Sequence, residues 1–192
     1  EEMEGLAEVL RRYPDIVVIA DEIYEHINYV GVHASIAACP GMKDRCAVIN
    51  GVSKAYAMTG WRIGFVAAPL ALAKGISKLQ GQYTSGPCSI SQKAAAFAFA
   101  ADQTPVEEMR LAFERRKELI VRLAREIPGF EVNNPDGAFY LFPKISSFFG
   151  KTDGTTTIHD SNDFALYLLE AAHVAGVGGA SFGDPDCYRL SY

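Results

Sequence analysis

Asn50-Gly51-Val52-Ser53-Lys54-Ala55-Tyr56-Ala57-Met58-Thr59-Gly60-Trp61-Arg62-Ile63-Gly64 is the stretch on which the reading of this chain turns. An apolar, β-branched run from Cys46 to Asn50 leads into it, and a turn containing Gly51 presents Lys54. Arg62 then stands between Gly60 and Gly64, at the start of a second apolar run from Ile63 to Ala68. A lysine amine on a strand-to-loop edge is a nucleophile toward a carbonyl carbon, and a nearby arginine is a planar fork for an oxyanion. Together they suit a ligand that carries both an aldehyde and a phosphate. Taken alone, the same two residues read as solvated charges flanking a hairpin, so the rest of the chain decides.

Upstream, Ile16-Val17-Val18-Ile19-Ala20 is a continuous apolar run. Such a run predicts a strand buried on both faces, as in a parallel sheet covered by helices. Asp21, Glu22 and Tyr24 follow at its carboxyl end, where open α/β sheets bind their ligands. The helix before it is predicted over residues 3 to 12, with Met3, Leu6, Val9 and Leu10 on one face.

Downstream, helices are expected at Leu70 to Gln80 and from about Ser89 to Ala101. A long amphipathic helix over 105 to 127 has Thr104 as N-cap and Met109, Phe113, Ile120, Leu123 and Ile127 as its core stripe. After Pro128-Gly129 the character changes. Phe130 to Asn133 and Ala138 to Pro143 read as paired strands around an Asn134-Pro135-Asp136-Gly137 turn. A helix from Asp163 to Ala175 and a closing strand, Tyr188 to Tyr192, complete the chain. The expected class is α/β. Residues 1–105 form part of a mostly parallel large-domain sheet, and 106–192 form a connecting helix and a small α+β domain.

Composition narrows the partners. The chain has 192 residues and a formal net charge of -5, with no basic stripe to neutralise nucleic-acid phosphates. Cys39, Cys46, Cys88 and Cys187 lie far apart with no CxxC pair. They read as free thiols in a reducing, cytoplasmic setting rather than as a zinc site or a disulfide frame. The four histidines show no metal-ligand spacing. No apolar run is long enough to span a membrane.

Asp21, Tyr24, Lys54 and Arg62 converge if the three strands are neighbours. An ionised carboxylate at a strand end is stable opposite a cation such as a pyridinium nitrogen. Tyr24 can donate to a phenolate oxygen, and Lys54 can be both Schiff-base partner and proton carrier. Singly, each has an ordinary explanation: Asp21 as a turn cap, Tyr24 as a packed aromatic, Lys54 as a surface charge. In this order and spacing the ordinary explanations do not account for the set.

Asp21-Glu22-Ile23-Tyr24, then Ser53-Lys54 with Gly60-Trp61-Arg62-Ile63-Gly64, resemble the class I/II aminotransferases among the fold-type I pyridoxal-phosphate enzymes. Gly81-Gln82-Tyr83-Thr84-Ser85, Asp136-Gly137-Ala138-Phe139-Tyr140, Phe182-Gly183 and Arg189-Leu190-Ser191-Tyr192 extend the likeness through the chain, and the wording is most similar to the bacterial aspartate branch. The resemblance implies pyridoxal 5'-phosphate as cofactor. It places Asp21 at the pyridine nitrogen, Tyr24 at the ring hydroxyl, Lys54 in the Schiff base, Arg62 at the phosphate with Ser53 as an added contact, and Arg189 on the substrate α-carboxylate. It implies transamination between aspartate or a related amino acid and 2-oxoglutarate, by a homodimer. A lyase or synthase on the same fold and a non-catalytic fragment are the alternatives.

Two departures stand out. Gly51 occupies a position where many relatives carry a phosphate-binding serine, and Gly178-Gly179 replaces a Pro-Gly. Members of the family are also about twice as long. The resemblance therefore covers the lysine-bearing, C-terminal half and implies weak cofactor binding and little turnover by these residues alone.

Overall fold

The computed structural model describes residues 1–192 and divides into two compact units, Glu1–Met109 and Arg110–Tyr192. The first holds α1 (Glu2–Arg11), β1 (Val18–Asp21), β2 (Cys46–Gly51), β3 (Gly64–Ala67), α2 (Leu70–Tyr83) and α3 (Ser89–Ala100), with the start of α4 (Thr104–Arg125). The second holds the rest of α4, then β4 (Tyr140–Leu141), α5 (Ser161–Ala172), β5 (Val177–Gly178) and β6 (Tyr188–Ser191). The architecture is α/β. No helix is long and apolar enough to cross a membrane.

In the first unit the strand order is β1-β2-β3, with β1 parallel to β2 and β3 antiparallel to β2. The return from Gly51 to Gly64 holds only a 3₁₀ turn, Thr59–Trp61, and no α-helix, the usual element of a parallel crossover, and β3 runs back against β2. Ala7, Ile36, Met42 and Cys46 form the core under one face of the sheet, against Leu10, Val18 and Ala20. Arg45 ties this packing together by donating to the carbonyls of Leu10, Tyr13 and Ile16, which fixes the turn between α1 and β1. On the other face Ile19 is 74% exposed, and Val17 also lies open. The expectation of a strand buried on both faces therefore fails for β1, because an apolar run shows what a strand could bury and not what covers it. The helices show the same imbalance. Met3, Leu6 and Val9 are exposed on α1 while Ala7 is buried, and Leu79, Ile90 and Phe97 are exposed on α2 and α3.

The long helix starts at Thr104, but its cap is Asp102, whose Oδ1 accepts from the Thr104 N–H at 3.1 Å and from its hydroxyl at 2.9 Å. Those bonds pull the Asp102 carboxyl below its ordinary range. The buried residues of α4 are Lys117, Val121 and Ala124, while Leu123 is exposed, as is Ile127 just beyond the helix end. Lys117 is accommodated because a lysine stem is apolar along most of its length.

In the second unit β6 is central, with order β4-β6-β5 and both pairings antiparallel. The expected hairpin between Phe130–Asn133 and Ala138–Pro143 reduces to a single bridge, Glu131 with Lys144. Leu141 instead pairs with Leu190 and is fully buried. Asp160 caps α5 by accepting from the N–H groups of Asn162 and Asp163.

Ile145, Ile158, Phe164 and Tyr188 make the main core of this unit. The Tyr188 hydroxyl is buried with no hydrogen-bond partner, and burial raises its pKa. An unpaired buried hydroxyl carries its desolvation cost uncompensated. Tyr188→Phe is therefore expected to stabilise the protein by about 1 kcal/mol in equilibrium unfolding. A loss of stability of that size would refute the unpaired state.

Candidate active site

Because β1 and β2 are parallel, their carboxyl ends lie at one end of the sheet, and antiparallel β3 places its amino end there too. The register makes this concrete, with Asp21 beside Ile49 and Gly51 beside Gly64. Three loops meet at this end: the turn after Asp21, the Lys54 loop, and the approach to β3 through Arg62.

The Lys54 loop is held from below. Val52 is fully buried and packs with Ile63 and Ala95, and Tyr56 and Met58 lie against them. The Tyr56 hydroxyl donates to Gln103 at 2.8 Å, and burial raises its pKa. Val52 and Met58 close the loop through a backbone bond, Met58 N–H to Val52 C=O at 3.4 Å.

A cavity of about 280 Å³ opens among these loops, lined by Asp21, Asn50, Ser53 and Arg62 with Ile23 and Ile63 as apolar walls. Lys54 does not line it but stands beside Tyr24, its Nζ 5.7 Å from the ring centroid. The Asp21 Oδ1 accepts from the Ile23 N–H at 3.3 Å, which orients the carboxylate as the turn begins, and Asp21 is exposed rather than buried. Arg62 has left-handed backbone (φ 56°) at the end of a 3₁₀ turn, and its Nη1 donates to the Thr59 carbonyl at 2.8 Å. It also lines a second, larger and mostly apolar hollow of about 740 Å³ with Trp61, Phe65, Ile76 and Cys88. The Cys88 thiol there is pulled below its usual range by the N–H groups of Ser91 and Ile90 at the start of α3.

Gly51 has a steric reason. A Cβ there would meet the Ile63 carbonyl oxygen at 2.7 Å and the Gly64 Cα at 3.0 Å. The chain approaches itself too closely between β2 and β3 for any side chain. Asn50, buried and beside the cavity, steadies this corner by accepting the Gly51 N–H at 2.7 Å. Sequence reasoning missed Asn50 because Asn-Gly at a strand end reads only as a turn.

Arg189 belongs to the second unit and is not among the lining residues. It lies on β6 opposite Val177, half-buried, with its guanidinium carbon 4.5 Å from the Tyr140 ring centroid and 4.1 Å from that of Phe182. The fold also gathers Glu22, Glu25 and His33, whose ligand atoms lie within 4.8 Å of one another. Sequence spacing gave no sign of that group. Both Glu22 oxygens are already engaged, by Ser35 at 2.5 Å and His33 at 2.9 Å.

A carboxylate, a hydroxyl and a guanidinium around one cavity can hold a molecule that is cationic at one end and anionic at the other. An amine beside a phenol, Lys54 against Tyr24, supplies a nucleophile or base. The donor set fits a phosphorylated pyridine aldehyde.

The model of the family "Aminotransferase class I and II" matches residues 1–192. A bifunctional aspartate aminotransferase and glutamate/aspartate-prephenate aminotransferase of Petunia hybrida is 46% identical over 99% of this chain, which covers 41% of that protein. The crystal structure of an aspartate aminotransferase from Rhizobium meliloti superposes with a TM-score of 0.91 at 44% identity, over 97% of this chain and 48% of that one. An aspartate aminotransferase from Thermus thermophilus with maleate gives a TM-score of 0.86 at 34% identity, over 99% and 47%. The chain thus spans about half the length of the relatives it matches. Over that span the match is continuous, and the chain belongs to the class I and II aminotransferase family.

Proposed function

We propose that the protein carrying this chain is a pyridoxal-phosphate-dependent aminotransferase that moves an amino group between aspartate, or a related amino acid, and 2-oxoglutarate. The observation that carries the reading is the meeting of Asp21, Ser53 and Arg62 around one cavity, with Lys54, next in sequence to Ser53, standing against the Tyr24 ring. When bound, the cofactor supplies an electron sink for the charge left as a substrate Cα–H bond breaks.

The chain's own residues do the rest. Asp21 holds the proton on the ring nitrogen by offering it a carboxylate. Tyr24 donates its hydroxyl to the ring oxygen. Arg62 takes the phosphate as a fork, with Ser53 adding a hydroxyl contact. Lys54 Nζ would hold the cofactor at its aldehyde end, and its amine would serve as the general base toward the substrate Cα proton. Arg189 binds the substrate carboxylate through two parallel N–H bonds, a task for a planar guanidinium rather than an ammonium. The names of the Petunia and Rhizobium relatives favour aspartate. The full protein is proposed to work as a homodimer.

Borohydride reduction of the full-length protein, followed by peptide mass spectrometry, tests this. The expected result is a cofactor adduct on the peptide containing Lys54, with loss of a visible absorption band. An adduct on another lysine, or no visible band before reduction, would overturn the reading.

A further inference from the structure

We propose that Tyr140 and Phe182 are positioning residues that hold the Arg189 guanidinium in place for a carboxylate. The inference rests on the proposed role of Arg189 and deepens it. Arg189 occupies β6, the central strand of its sheet, between β4, which carries Tyr140, and β5, which leads into the 3₁₀ turn ending at Phe182. The two rings therefore reach the guanidinium from different segments, at 4.5 Å and 4.1 Å from its carbon. Each ring is braced by another: Phe139 is tilted against Tyr140 at 4.7 Å, and Phe142 meets Phe182 edge-on at 6.0 Å.

Arg189 makes no ion pair or hydrogen bond through its side chain within the chain, so its neighbours are ring faces. That arrangement has a chemical consequence. A carboxylate partner from the protein would neutralise the guanidinium and occupy its fork. Aromatic faces attract the cation through their quadrupole yet leave the N–H edge open. They also restrict the long arginine side chain, so less rotamer freedom is lost when a carboxylate binds. Phe182 is 46% exposed, so its ring lies at the surface against the guanidinium.

The test uses maleate as a rigid dicarboxylate probe, with binding to the full-length holoprotein followed by calorimetry, and steady-state kinetics alongside. Phe182→Leu and Tyr140→Leu are each expected to weaken maleate about threefold to tenfold, the range of a partly desolvated cation–π contact. KM for the amino-acid donor should rise by the same factor, with kcat held within about twofold because the lost contact orients bound substrate equally before and during reaction. The ring-conserving Phe182→Tyr and Tyr140→Phe should return to within about twofold of the parent protein, as the ring face is kept. Unchanged maleate affinity in a folded Phe182→Leu protein would overturn the proposal, and its exposed position makes folding secure. Arg189→Lys separates this from the reading beneath it. If that variant binds maleate as the parent does, the carboxylate role of Arg189 falls. If it loses maleate while both leucine variants bind normally, only the aromatic cradle falls.

Discussion

Lys54→Ala is expected to lower turnover of the full-length protein by roughly 10⁴-fold or more, the loss that follows when one group is both nucleophile and general base. The loop around it should survive. Val52 and Ala55 are buried on either side, and the packing of Val52 with Ile63 and Ala95 does not involve the lysine side chain. The variant should therefore fold, show native circular dichroism, and still bind the cofactor noncovalently through Asp21, Ser53 and Arg62, but without an adduct on borohydride treatment. Single-turnover kinetics with aspartate would measure the loss directly. A Lys54→Ala protein with turnover near that of the parent would remove Lys54 from the mechanism.

The second large effect is expected at Gly51. A serine at this position would seem to add a phosphate contact. The geometry predicts the opposite. The Ile63 carbonyl and the Gly64 Cα lie at 2.7 and 3.0 Å from the position of a Cβ, with Ile23 Cδ1 at 3.4 Å. Two of those three neighbours are backbone, so β2 and β3 would have to separate at the end of the sheet that bears the site. Overpacking of this kind costs typically ~2 kcal/mol. Gly51→Ser should therefore lower the denaturation midpoint and weaken cofactor binding together, because Ser53 and Arg62 flank the displaced segment. A Gly51→Ser protein of parental stability with tighter cofactor binding would contradict this.

Much of the fold was legible in the residues themselves. The runs at Val18 and Cys46 form strands because they are apolar and β-branched, and the candidate groups follow them at the strand ends. The direction of β3 was not read, since the residues Gly64 to Ala67 look the same whichever way they pair. Only the connection from Gly51, which holds no α-helix, bears on that direction. The stripe of α4 was displaced because Lys117 is buried by its stem, which a hydrophobic pattern counts as polar. Thr104 read as a cap, yet Asp102 does the capping, for both residue types carry the required oxygen. In the site, Ser53 and Arg62 come from one contiguous stretch, and Asp21 joins them because it ends the other apolar run, β1, beside β2. The cradle around Arg189 was not legible in this way, because Tyr140, Phe182 and Arg189 come from three separate segments and acquire meaning only once β4, β5 and β6 are joined.

The left-handed backbone at Arg62 places folding and function in opposition at a single codon. A non-glycine residue in that conformation costs roughly 1 kcal/mol, which glycine would recover. Selection on abundance alone would thus drift position 62 toward glycine, joining Gly60 and Gly64 in a triplet of small residues. Ala57 shares the left-handed conformation at φ 52° in the same loop, so the segment between Lys54 and Arg62 carries two such residues and is a locally costly piece of backbone.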